Sequence, residues 1–319
     1  MVNKTILTTA ANEYGFNADT LQFISDSTNQ VYRFQKDGVP YILRISQRPL
    51  EFIDQITAEM DWIDYLAQNH VSVPAPLYTD GRLAIPVIDE DKPYILTSFE
   101  FVKGCCWDKS NPDKWNTRIF YNWGKTMGKM HCLTKRYTPP KGHARRTEFT
   151  GRDALSSSIE NCPTVYAITQ DLIRDMITLP KSTDTYGLIH YDLHPWNFYI
   201  DGDVINVFDF DDSLYGWYAS DIGIALYHGL WWGRPNDPTG VQRFAEDLIT
   251  SFIAGYRQNN DLPADALRTV PMFIKFRQIC KFSWFFDAKN IDDEQKEQIS
   301  NIENGLLFEN LQLDHLLFE

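Results

Sequence analysis

The chain has 319 residues, 43% hydrophobic and 23% charged, enough to bury a sizeable core in two domains or in two lobes of one fold. A formal charge of −13 argues against a nucleic-acid partner and suits neutral or cationic ones. No run approaches the roughly eighteen consecutive apolar residues of a membrane span; the N-terminus MVNKTILTTAANEYGFNADT lacks an apolar signal core, and five cysteines without a C-x-x-C pair predict reduced thiols in the cytoplasm.

The first hundred residues read as strands and one helix. LQFIS, VYRF and YILRIS are short β-type runs, the last two joined across the turn signal QKDGVP. Residues 51–68 predict a helix: Ile53, Ile56, Met60, Ile63 and Ala67 share one face, and Pro74 and Pro76 follow as breakers. Glu59 projects into that apolar arc. A carboxylate there either snorkels from the edge of the stripe or forms a buried ion pair, for which Arg44 in YILRIS is the nearest partner in the pattern. LAIPVI and YILTSFEFV complete a small sheet. Beyond about residue 104 the pattern turns mostly helical, so the boundary falls near Lys103–Gly104, with residues 1–103 as one lobe and 104–319 as the other. Gly124 and Gly128, four apart on a predicted helix, permit close helix contact. His131 on the same helix reads as a satisfied core histidine.

Residues 188–213, LIHYDLHPWNFYIDGDVINVFDFDDS, hold six aspartates, two histidines and two asparagines among Ile, Val, Phe and Tyr. Carboxylates on an apolar frame need a cationic partner. Asp201-Gly202-Asp203 is a hairpin turn between FYI and VINVF, which predicts that Asn197 and Asp209 lie near each other at the hairpin's open end, with Asp192 on the loop before it. Three oxygen-bearing side chains suit a hard divalent ion such as Mg²⁺ shared with phosphates. The spacing His190-x-Asp192-x₄-Asn197 matches the catalytic-loop pattern of phosphoryl-transferring kinases, and Asp209-Phe210 stands where the metal aspartate of D-F-G would be, with Asp211 in place of glycine. His190-x-Asp192-x-His194 also reads as a metallohydrolase cluster, which would require matched ligands that His131 and His143 do not supply.

HYDLHPWN, VFDFDD and SDIGIAL together resemble the aminoglycoside phosphotransferase and choline kinase superfamily of kinase-like small-molecule phosphotransferases. ITAEMDWIDYLAQNHVSVPAPL, TSFEFVKG and WGKTMGKMH extend the likeness over about residues 20–230. The resemblance implies a protein-kinase-like bilobal fold of the α+β class, with a small β-rich N-lobe for the nucleotide and a larger, mainly α-helical C-lobe carrying the catalytic loop, metal site and acceptor site. It implies ATP as phosphoryl donor, Mg²⁺ as cofactor, and a small-molecule hydroxyl as acceptor. Asp192 would orient the acceptor or take its proton, Asn197 and Asp209 would hold Mg²⁺, His190 would brace the loop, and Asp221 would pin the loop's backbone. Asp211 and Asp212 could support the metal site, touch substrate or be solvated.

In the N-lobe, SDSTNQVYRF occupies the place of the nucleotide loop but contains no glycine, so Ser27, Thr28 and Asn29 would have to supply donors to phosphate. Arg44 takes the place of the usual strand lysine and would pair with Glu59 while gripping phosphate as a planar fork. Glu100 and Phe101 in the hinge would offer backbone groups to adenine. Nine tryptophans, with Trp231 and Trp232 adjacent, are core or a surface for an amine-bearing acceptor. Two other readings remain at this point. A Ser/Thr protein kinase of the same fold would need an A-P-E segment, which has no equivalent here; a non-catalytic nucleotide-binding module would explain the missing glycines.

Overall fold

The computed structural model describes residues 2–152, 154–161 and 163–287, together with 293, 296 and 300. The described residues fall into two compact units: those of 1–105, 136–147 and 199–211 make the first, and those of 106–135, 148–198 and 212–319 the second.

The first unit begins with α1 (Lys4–Tyr14), which the strand-rich reading of this region omits. Asn3 caps it by accepting the Ile6 amide, and Gly15 closes it at φ 67° with its N–H on the Ala11 carbonyl. Ile6, Ala10 and Tyr14 lie on one face of α1 and join Tyr32, Phe34, Leu43, Ile45 and Leu96 in a buried cluster. A helix rich in threonine has weak propensity and low polarity contrast, so its identity comes from this packing.

The sheet under α1 is antiparallel, in the order β1-β2-β3-β5-β4. Its strands are β1 (Gln22–Asp26), β2 (Gln30–Lys36), β3 (Val39–Ser46), β4 (Ile85–Asp89) and β5 (Lys92–Glu100). α2 (Ile53–Gln68) lies between β3 and β4 in sequence, as the periodicity predicts, after a single 3₁₀ turn at Leu50–Phe52. Strand alternation decides what each face of β3 meets. Leu43 and Ile45 point into the cluster with α1, so Arg44 points the other way, toward α2. The predicted hairpin forms as β7 (Phe198–Asp201) and β8 (Val204–Val207), with Gly202 at φ 61° in its turn. Within the first unit it is tied down by the Val207 amide on the Ser72 carbonyl (2.9 Å) and by reciprocal amide–carbonyl bonds between Cys105 and Ile200.

The second unit is mostly helical. It contains α3 (Thr117–Thr134), α4 (Pro163–Ile177), the short pair β6 (Tyr186–Ile189) and β9 (Leu214–Trp217), then α5 (Tyr218–Gly233), α6 (Val241–Tyr256), α7 (Ala264–Leu267) and α8 (Val270–Asp287). α5 is buried along its whole length from Tyr218 to Leu230, so polar groups on it need internal partners. α3 and α6 cross in backbone contact. A side chain at Gly124 would bring a Cβ within 1.9 Å of the Phe252 carbonyl oxygen, one at Gly128 within 2.3 Å of that of Tyr256, and one at Gly255 within 1.9 Å of that of Tyr121. The glycine spacing in the sequence therefore marks a helix crossing. Gly124→Ala is expected to force the two helices apart and cost about 3 kcal/mol, read as a fall in the midpoint of thermal unfolding by circular dichroism. No helix among the described residues is long and apolar enough to cross a membrane.

Candidate active site

In the second unit, the segment from His190 to Asn197 is an irregular loop held by buried polar groups. Tyr191 sits at φ 65°, a conformation that costs a bulky residue about 1–3 kcal/mol. Asp221, fully buried near the start of α5, offsets that cost: its Oδ1 accepts the Tyr191 amide (2.7 Å) and its Oδ2 the His190 amide (3.0 Å). This is the backbone clamp expected of Asp221. His131 is buried as expected, and it belongs to the same network. Its Nε2 lies 3.1 Å from Asp221 Oδ2 and its Nδ1 2.8 Å from the Tyr256 hydroxyl. An ionised carboxylate only accepts, so His131 Nε2 carries the hydrogen that points at Asp221 and Nδ1 takes the Tyr256 hydroxyl hydrogen, while Asn260 donates to that hydroxyl oxygen (2.7 Å). His190 braces the loop by accepting the Asp192 amide on Nδ1 (3.3 Å).

Asp192 is the centre of this loop's network. Its Oδ2 accepts from Asn197 Nδ2 (3.0 Å) and faces His194 Nε2 at 3.3 Å, and its Oδ1 pairs with Arg277 from α8. Burial pushes the carboxyl up, but Arg277, His194 and Lys281 outweigh it and hold it well below the usual carboxylate range. His194 accepts the Trp196 amide on Nδ1 (3.3 Å), which leaves its Nε2–H for Asp192. The histidine is thus spent on the loop. Asn197 donates Nδ2 twice, to the Asp192 carbonyl (2.9 Å) and carboxylate, which turns its Oδ1 outward as a hard oxygen donor. That orientation fits a divalent cation held through oxygen.

In the first unit, Arg44 and Glu59 form the buried pair that the apolar arc of α2 implied. Nη1 reaches Oε1 at 2.7 Å and Nη2 reaches Oε2 at 3.0 Å, while Nε donates to Thr97 Oγ1 at 3.1 Å. Burial draws the guanidinium down, but Glu59, Asp211 and Asp209 more than reverse this and keep it charged. Asp209 is exposed at φ 65° after the hairpin, and Phe210 is buried edge-on against Trp62, with ring centroids 5.3 Å apart. Asp211, open to several roles in the sequence, is an anchor here. It accepts Arg48 Nη2 (2.6 Å) and Asn29 Nδ2 (3.4 Å), and its carbonyl accepts Arg146 Nη2 (2.5 Å). Burial raises its carboxyl, yet Arg44, Arg48 and Arg146 bring it below the ordinary value.

Several groups named in the sequence expectations for this unit already have partners. Ser27 and Thr28 are exposed, but the Ser27 amide is already turned onto the Asn29 carbonyl (3.3 Å), and Asn29 is buried with its Oδ1 on the Ser46 hydroxyl (2.6 Å). Asn29 therefore braces the loop from below, because a side chain that bridges β3 and Asp211 cannot also stand free above the strand. Glu100 and Phe101 donate their amides to the carbonyls of Ala75 (2.9 Å) and Pro40 (3.3 Å), so neither amide is left to donate to adenine. The sequence reading passed over Arg48, Arg146, His228 and Arg277 altogether. None of them stands in a motif, and each is defined by a partner far along the chain.

A family model described as a phosphotransferase enzyme family matches residues 19–259. Amicoumacin kinase from Bacillus subtilis (strain 168) is 34% identical over 313 residues, covering 94% of this chain and 92% of that protein. A solved structure of amicoumacin kinase hAmiN, in complex with AMP-PNP, Ca²⁺ and Ami, is 28% identical, with a TM-score of 0.89 over 99% of this chain and 97% of that one. A microcompartment-associated aminopropanol kinase shares the fold at 24% identity and a TM-score of 0.74, with 99% of both chains covered. The β-sheet of the N-terminal region and the helical C-terminal part are those of the protein-kinase-like fold, and the chain belongs to the phosphotransferase enzyme family.

Proposed function

We propose that the protein transfers the γ-phosphoryl group of ATP to a hydroxyl of a small molecule of amicoumacin's kind, with Asp192 as the residue that receives the acceptor. The observation that carries this reading is the state of the Asp192 carboxylate. It is half-buried, ionised and held by Arg277, Asn197 and His194, and Oδ1, which meets Arg277 alone among the described residues, keeps a lone pair for an incoming hydroxyl. Similarity at 34% identity over nearly the whole length to a kinase named for amicoumacin points to that compound as the first acceptor to try.

Each residue then has a task. Asp192 aligns the acceptor O–H for in-line attack and takes its proton late, as its depressed basicity requires; a loose phosphoryl-transfer transition state asks little of the base. Arg44, rigid on Glu59 and Thr97, meets phosphate oxygens with the guanidinium hydrogens those two do not use. Asn197 Oδ1 and the Asp209 carboxylate are the proposed ligands of a divalent cation, which when bound neutralises charge on the phosphates. The Asp221 clamp keeps the loop in the strained conformation in which Asp192 and Asn197 share hydrogen bonds.

The test is ADP release from ATP and Mg²⁺ with amicoumacin, choline, ethanolamine, aminopropanol and a set of aminoglycosides, followed by mass spectrometry of the acceptor. Amicoumacin is expected to stimulate release and to gain one phosphate ester. Stimulation by none of the panel, with amicoumacin recovered unchanged, would reject the substrate class.

A further inference from the structure

Arg277 lies outside every motif in the sequence, yet it touches the proposed catalytic aspartate. It sits on α8, 85 residues beyond Asp192, with a side chain 11% exposed. Among the described residues it makes two hydrogen bonds: Nη2 on Asp192 Oδ1, and Nε donating to His228 Nε2 at 3.0 Å. His228, on the buried helix α5, is fully enclosed; its ring is stacked on Trp232 (centroids 4.4 Å apart, 24° between planes) and edge-on to His194 (5.0 Å). A nitrogen that accepts from a guanidinium carries no hydrogen of its own, so the His228 proton resides on Nδ1, which is buried without a partner among the described residues. Burial, then Arg277 and His194, push the His228 pKa well down, so the ring is neutral and able to accept.

The arrangement is directional. A buried donor left unsatisfied costs stability, and the structure bears this cost on His228 Nδ1 while keeping the lone pair of Nε2 on Arg277. The guanidinium fork is fixed at two corners, Nε and Nη2, so the place of its Nη2 hydrogen, and with it Asp192 Oδ1, is set by α5 and α8 rather than by the loop alone. Lys281, one turn further along α8, adds positive charge near the aspartate without any hydrogen bond or ion pair of its own among the described residues.

We propose that Arg277 is a positioning residue of the phosphotransfer reaction: it fixes Asp192 Oδ1 in the orientation that receives the acceptor hydroxyl, and neutral His228 fixes Arg277. The inference rests on the catalytic reading of Asp192 above. Arg277 acts through Asp192, so its removal matters only while the carboxylate is present.

The experiment measures ADP release with amicoumacin, and acceptor-independent ATP hydrolysis as a second readout, in Asp192→Asn, Arg277→Met and the double variant, and in His228→Leu and His228→Gln. Arg277→Met is expected to lower kcat about 100-fold, as a misplaced reacting group does, with the KM for ATP changed by less than about threefold. In the Asp192→Asn background the same substitution should produce no further loss. His228→Gln, whose amide oxygen can accept from Arg277 Nε, should keep most of the activity, whereas His228→Leu should lose roughly tenfold. Equal losses in both backgrounds, or equal activity in the two His228 variants, would overturn the role of Arg277 and leave the function standing. Wild-type turnover in Asp192→Asn would instead reject the catalytic reading of Asp192 on which the inference rests. Should Arg277→Met fail to fold, the His228 pair decides.

Discussion

Replacing Asp192 with asparagine is expected to lower kcat about 10³-fold, the scale of a lost acid–base and orienting group, while ATP affinity stays within about threefold. Asparagine keeps the shape of the side chain, and its oxygen can still meet Arg277. Its amide nitrogen, however, would face two donors, Asn197 Nδ2 and His194 Nε2, where the carboxylate oxygen now accepts at 3.0 and 3.3 Å. The loop is thus perturbed at its chemistry rather than at its anchor, since Asp221 still holds the His190 and Tyr191 amides. Steady-state ADP release and direct titration of the nucleotide separate the two effects. Turnover within tenfold of the parent would mean that some other group receives the acceptor.

The second large effect is expected at the Arg44–Glu59 pair. Glu59 is 0% exposed and accepts both ends of the guanidinium fork, so Glu59→Ala leaves a buried cation without its partner, at a cost of about 3–5 kcal/mol. Urea denaturation should report that loss, together with weaker ATP binding. The double variant Arg44→Met/Glu59→Leu separates structure from function. Replacing a buried ion pair by apolar side chains of similar size is often neutral or stabilising, so the double variant should recover most of the lost stability but not nucleotide affinity. Recovery of both would show that Arg44 serves the fold alone.

Much of the site was legible because it is written locally. His190, Asp192 and Asn197 fall within eight residues, and the hairpin after them is announced by Asp201-Gly202-Asp203 between β-type runs. Glu59 stood out as a carboxylate inside an apolar arc, and its partner followed from Arg44 being just as misplaced among Leu43 and Ile45. Gly124 and Gly128 foretold a crossing, though only the structure named α6 as the partner and added Gly255. α1 escaped the strand-and-turn reading although Asn3, Ile6, Ala10, Tyr14 and Gly15 stand at helical spacing. Its many threonines favour no single state until the sheet supplies an apolar surface.

By itself the sequence determined the strands of the small sheet, the helix bearing Glu59, the catalytic-loop spacing and the class of chemistry, because periodicity and motif spacing are short-range properties of a chain. Tertiary structure alone decided that Asp211 anchors Arg48 and Asn29, that His131 belongs to the Asp221 clamp, that the hinge amides of Glu100 and Phe101 are already committed, and that Arg277 meets Asp192. Those partners lie tens to well over a hundred residues apart. A side chain's charge is a fact of sequence; which opposite charge or lone pair satisfies it depends on which surfaces burial brings together.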